Sequence, residues 1–172
     1  MCGVMQTLQD YGQEPGDNPN AAHSRYGYII TFAGVPLCWK SQLIQEICYS
    51  TVQAKYVGMC NAMKALVPLC GLVDDILIYF KQSLSSSTIH CIVYEDNQGA
   101  YLLITNQRVS SRTKHFCIKH HWFWSHVHHP GRRPDGWVVV LECSTELMNV
   151  DYLTKCPARV IFQANRKHVQ GW

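Results

Sequence analysis

IHCIVYEDNQGA, residues 89–100, is the stretch on which the fold turns. An apolar run of strand length, residues 89–94, stops at Glu95-Asp96, and a helical pattern takes over across residues 97–105. A strand that ends in carboxylates and passes at once into a helix suits an open α/β sheet, where sites gather at the carboxyl ends of strands. Asp96 can serve there as a ligand for a divalent cation. It can equally do no more than cap the following helix, a role aspartate fills well.

Working outward, residues 1–23 are rich in Gly, Gln, Asp, Asn and Pro and read as an irregular segment. Residues 26–32 (YGYIITF), a turn at Ala33-Gly34 and an extended pattern over residues 35–40 read as a hairpin. A helix starts near Ser50, with Tyr56, Met59, Cys60, Met63, Leu66 and Val67 as its apolar face. Pro68 should kink or end it, leaving a second helical piece over residues 69–79. A polar linker at 83–87 precedes the opening stretch. Beyond it come a basic and aromatic segment (112–129), a loop (130–136), a strand at 137–141 (WVVVL) and a closing helix over 150–169, interrupted by Pro157. The order β-β-α-β-α-α-β-α predicts a layered α/β domain over residues 24–172.

Composition agrees with one globular domain: 172 residues, 47% hydrophobic and 16% charged. The formal charge of +3 permits a phosphate-binding face without requiring one. The most apolar zone, residues 66–80, is broken by Pro68, Asp74 and Asp75, so no membrane span is expected. The first residues carry no basic region followed by a long apolar one; an intracellular protein, in cytoplasm or nucleus, is expected rather than a secreted one. The nine cysteines are scattered and never spaced CxxC, which suits free buried thiols. His115, His120, His121, His126, His128 and His129 with Cys117 offer zinc-ligand types, but no CxxC partner supports a zinc site. Nothing in the sequence fixes an oligomeric state.

Three further groups of residues carry chemistry. Asp151, near the start of the closing helix, is either a second metal-binding carboxylate or a negative charge stabilising a first helical turn. Ser50-x-x-Gln53 is a capping box. Arg112, Lys114, His115, Lys119, His120 and His121 interleave with Phe116, Trp122, Phe123 and Trp124, which suits a nucleic-acid backbone or, alternatively, an amphipathic helix with a solvated basic face.

Taken together, these segments resemble the ribonuclease H domain of copia-type retrotransposon polyproteins, which follows the reverse transcriptase. The resemblance covers residues 24–172 and rests on motifs in order: Ser24-Arg25-Tyr26-Gly27-Tyr28; Pro36-Leu37-Cys38-Trp39-Lys40-Ser41; Ser50-Thr51-Val52-Gln53-Ala54-Lys55-Tyr56; Glu95-Asp96-Asn97-Gln98-Gly99-Ala100; Arg112-Thr113-Lys114-His115; and Asp151-Tyr152-Leu153-Thr154-Lys155. It implies a five-stranded mixed sheet flanked by helices. It also implies metal-assisted hydrolysis of the RNA strand of an RNA–DNA hybrid, with four carboxylates holding two Mg²⁺ or Mn²⁺ ions about 4 Å apart. On that pattern Asp96 and Asp151 are metal ligands, Gln53 stands at the catalytic glutamate, and Arg112, Lys114, His115 and Lys155 face nucleic acid.

Two departures bear on activity. Gln53 is an amide where the family has an acid, and the family's first aspartate, on an N-terminal strand, has no counterpart, so that strand is expected to be missing or degenerate. Two dications about 4 Å apart repel by about 17 kcal/mol at an effective dielectric of about 20, which four carboxylates balance and two do not. Lys55 replaces a second family glutamate and reads as a surface charge reversal. The expected function is a degenerate ribonuclease H with hydrolysis lost or very weak; the alternatives are a non-catalytic nucleic-acid-binding or interaction module, and a residual nuclease that recruits Asp10, Asp17 or Glu46.

Overall fold

The computed structural model describes residues 2–9, 23–80, 91–144, 148, 150, 153–154 and 158–170, with side chains in all of these except 2–9 and 168–170. The strand expected to be missing or degenerate is present as a strand. Cys2–Gln9 forms β1, at the centre of a five-stranded sheet ordered β3-β2-β1-β4-β5. It runs antiparallel to β2 (Arg25–Phe32) along its whole length and parallel to β4 (Cys91–Glu95) from Cys2 opposite Cys91 to Met5 opposite Tyr94. The stretch CGVMQTLQ escapes sequence patterning because a central strand needs no polar-apolar alternation. Residues 2–9 contain no acid.

β2 and β3 (Val35–Leu43) form the expected hairpin. Its two-residue turn needs positive φ at both central positions to match the strand twist. Gly34 (φ 83°) adopts this freely and Ala33 (φ 51°) adopts it at a cost. β5 (Val138–Glu142) closes the other edge, parallel to β4.

α1 runs unbroken from Thr51 to Tyr79, so the expected break at Pro68 does not occur. Proline here removes one hydrogen bond, to the carbonyl of Lys64, and both residues are exposed, where water can take the missing donor's place. Tyr56, Met59, Cys60, Met63 and Leu66 are all buried, as their spacing predicts, and pack with Tyr28, Ile30, Val93 and Val140 of the sheet. Ile29 points the other way, to a smaller cluster with Val150 and Leu153. Shorter elements follow: α2 (Gln98–Asn106), α3 (Lys114–His120), a 3₁₀ turn (His121–Ser125) and the closing α4 (Arg159–Gln170). The linker at 83–87 and Pro157 lie outside the described residues. Among the described residues, no helix is long and apolar enough to cross a membrane.

Candidate functional site

β4 alternates Cys91, Val93 and Glu95 into the core and delivers Asp96 just past its end. Asp96 is not the helix cap. Asn97 takes that role, its side-chain oxygen accepting the Ala100 N–H at 2.9 Å, which leaves the Asp96 carboxylate for other partners. Gly99 then lets α2 meet the start of α1, because a Cβ there would lie 2.8 Å from Val52 Cγ2. The close approach brings the first turns of α1 to the Asp96 carboxylate.

That part of α1 holds Gln53 and Lys55. The Ser50 hydroxyl oxygen accepts the Gln53 N–H at 3.1 Å, and Gln53 Oε1 accepts the Tyr49 N–H at 3.1 Å. The capping box therefore forms, with its return bond one residue further out than usual. Gln53 is 5% exposed, so its amide oxygen is engaged in a buried structural contact.

Lys55 overturns the expectation of a surface residue. It is buried, and its ammonium group is hydrogen-bonded to Asp96 Oδ1 and lies 3.8 Å from Glu95 Oε1. The cause is its position in the fully buried run from Gln53 to Cys60, where a cation must find a counter-ion. Glu95 is 0% exposed. Burial pushes its carboxyl up to about 8, against the pull of Lys55 and of the Asn97 N–H, which donates to Oε1 at 3.0 Å. Among the described residues its second oxygen, Oε2, is buried without a hydrogen-bond partner.

A pair of dications needs several acids around one point. The described side chains here are the Asp96 carboxylate, one buried acid whose proton is held to about 8, one amide and one lysine. On the central strand, Met5 stands opposite Tyr94, so the level of Asp96 is reached at Gln6 and Thr7, neither of them acidic. Among the described residues no three His, Cys, Asp or Glu side chains group to hold a metal. These residues do not fit the metal pair.

Asp151, Lys155, Asp10 and Asp17 lie outside the described residues. Near it in the chain, Val150, Leu153 and Thr154 are described. Ser41 Oγ donates to the Leu153 carbonyl, and a Cβ on Gly27 would lie 3.0 Å from Thr154 Cγ2, so Leu153 and Thr154 rest directly on β2 and β3. Glu46 is engaged elsewhere, accepting from Lys119 Nζ at 2.6 Å and lying 2.7 Å from His120 Nε2. Partial burial works to raise its pKa, but the hydrogen bonds and charges of Lys119 and His120 bring it below the usual carboxylate range.

The basic segment divides. Phe116 and Phe123 are core, packed around Tyr56 at ring-centroid distances of 5.5 and 5.4 Å. Arg112, Lys114 and His115 are exposed. Cys60, Cys70, Cys91 and Cys117 are buried. Sequence reasoning missed Glu95 and Lys55 as site residues. Alternation along β4 could have placed Glu95 inside with Cys91 and Val93; no local pattern marks Lys55.

The fold is that of ribonuclease H. Ribonuclease H1 of LC11, solved with an RNA/DNA hybrid, superimposes with a TM-score of 0.53 over 89% of this chain and 93% of its own, at 13% identity. The N-terminal ribonuclease H domain of a Mycobacterium tuberculosis protein gives 0.54 over 96% of both chains at 11% identity. Likeness at such identities shows the fold alone.

The lineage comes from sequence. The chain is 30% identical over 148 residues (86% of its length) to the retrovirus-related Pol polyprotein from transposon TNT 1-94 of Nicotiana tabacum. It is 29% identical over 140 residues (81%) to that of transposon RE2 of Arabidopsis thaliana. No family model matches. The chain belongs, over this segment, to the retrovirus-related Pol polyproteins of transposons, and it spans about a tenth of the length of those relatives (10% and 9%).

Proposed function

We propose that this chain is the ribonuclease H segment of a copia-type Pol polyprotein that keeps a nucleic-acid-binding role and has lost, or retains only very weakly, metal-dependent hydrolysis of RNA in RNA–DNA hybrids. The reading rests on Gln53. At the position where the resemblance puts the catalytic glutamate stands a neutral amide whose oxygen accepts the Tyr49 N–H at 3.1 Å. Arg112, Lys114 and His115 are exposed and free to follow a phosphate backbone. Lys155 would join them and Asp151 would stay near Asp96, by the same resemblance.

The test is a binding and cleavage assay on a labelled RNA–DNA hybrid, with Mg²⁺, Mn²⁺ or EDTA, using the native chain, Gln53→Glu and Asp96→Asn. The expected outcome is binding that weakens with salt and persists in EDTA, with no cut product from the native chain. Cleavage by the native chain that disappears in Asp96→Asn refutes the loss of activity. Failure to bind hybrid in low salt refutes the retained role.

A further inference from the structure

We propose that Lys55 is a built-in cation that stands in for divalent metal at the end of β4, so that this domain holds Asp96 and Glu95 with an ammonium group and takes up neither Mg²⁺ nor Mn²⁺ there. The inference deepens the proposed function and rests on the same placement of the site.

Geometry carries it. The ammonium contacts Asp96 and sits 3.8 Å from Glu95, and all three side chains are 8% exposed or less. Cations and carboxylates meet here away from water, which is what a metal site does with an ion drawn from solution. Here the ion is tethered to α1, and it arrives when the helix packs. Asp96 is released from capping by Asn97, and the close approach of α1 and α2 at Gly99 brings the helix start to it. A dication entering this cluster would meet a like charge within a few ångströms in a medium of low dielectric, where repulsion is weakly screened. For the metal to bind, Lys55 would have to leave a buried position in the run from Gln53 to Cys60. An ammonium also differs from a metal in function: it offsets the charge of Asp96 but offers no open coordination position and no activated water.

The experiment is Mn²⁺ titration of the full 172-residue chain without nucleic acid, followed by the paramagnetic signal of free Mn²⁺. It is paired with thermal unfolding in Mg²⁺ against NaCl of matched ionic strength. The native chain should show no Mn²⁺ binding lost in Asp96→Asn, and the same midpoint in both salts. Lys55→Glu should bind Mn²⁺ at least about tenfold more tightly, a change of roughly 1.4 kcal/mol, and should gain stability from Mg²⁺. Lys55→Gln, neutral and of similar length, serves if the glutamate variant fails to fold, and should gain Mn²⁺ binding in the same direction. Native Mn²⁺ binding that Asp96→Asn abolishes overturns the proposal. So does a folded Lys55→Gln that binds no more Mn²⁺ than the native chain. Neither result depends on hybrid, so a native chain that binds Mn²⁺ yet cuts nothing would sink this inference and leave the proposed function standing.

Discussion

Lys55 and Lys119 each hold a carboxylate by a short contact, yet they work in different surroundings. The Lys55 and Asp96 side chains are 8% and 7% exposed; those of Lys119 and Glu46 are 62% and 32% exposed. In water a broken pair is rehydrated at little cost, whereas inside the protein the survivor is left as an unpaired buried charge. The same bond type is thus a surface ornament on α3 and a structural requirement at the end of β4.

The contrast breaks or stands on three measurements of unfolding. Lys55→Ala should show the largest effect, about 3–5 kcal/mol in urea, because Asp96 stays buried without its partner. A cost below about 1 kcal/mol would put Lys55 in the same class as Lys119. The second measurement concerns pH. Glu95 is raised from the usual 4.5 to about 8 in the folded chain, so folding takes up a proton between those values. Its contribution is complete below about pH 4.5 and declines as pH rises through about 8, and Glu95→Gln should flatten that part of the stability profile. An unchanged profile would mean that Glu95 is not the group titrating. The smallest effect belongs to Lys119→Ala, below about 1 kcal/mol. A larger loss would mean that Glu46 depends on it for the His120 contact.

Much of the fold was legible because it follows from local pattern. The hairpin, the apolar face of α1 and the strand before Glu95 were set by periodicity and turn residues, and ordered motifs set the family. β1 was not legible, because Cys2–Gln9 has neither alternation nor β-branched density and its strand state comes from its neighbours on both sides. Pro68 was misread for the opposite reason: a local rule was overridden by the packing of a 29-residue helix. In the site, Gln53 and Asp96 were found through motifs. The partner of Asp96 was not, since a lysine at position 55 looks like any helix-surface cation until tertiary packing encloses it.

The parallel pairing of Met5 with Tyr94 also governs the order in which the chain can be made. As the chain is made, β2 follows β1 directly, and the edge of β1 that pairs with β4 stays open until synthesis has passed Glu95. Throughout that interval an uncharged strand presents unpaired backbone to every neighbouring nascent chain. The yield of folded protein should then respond to synthesis rate and chaperone supply as well as to final stability.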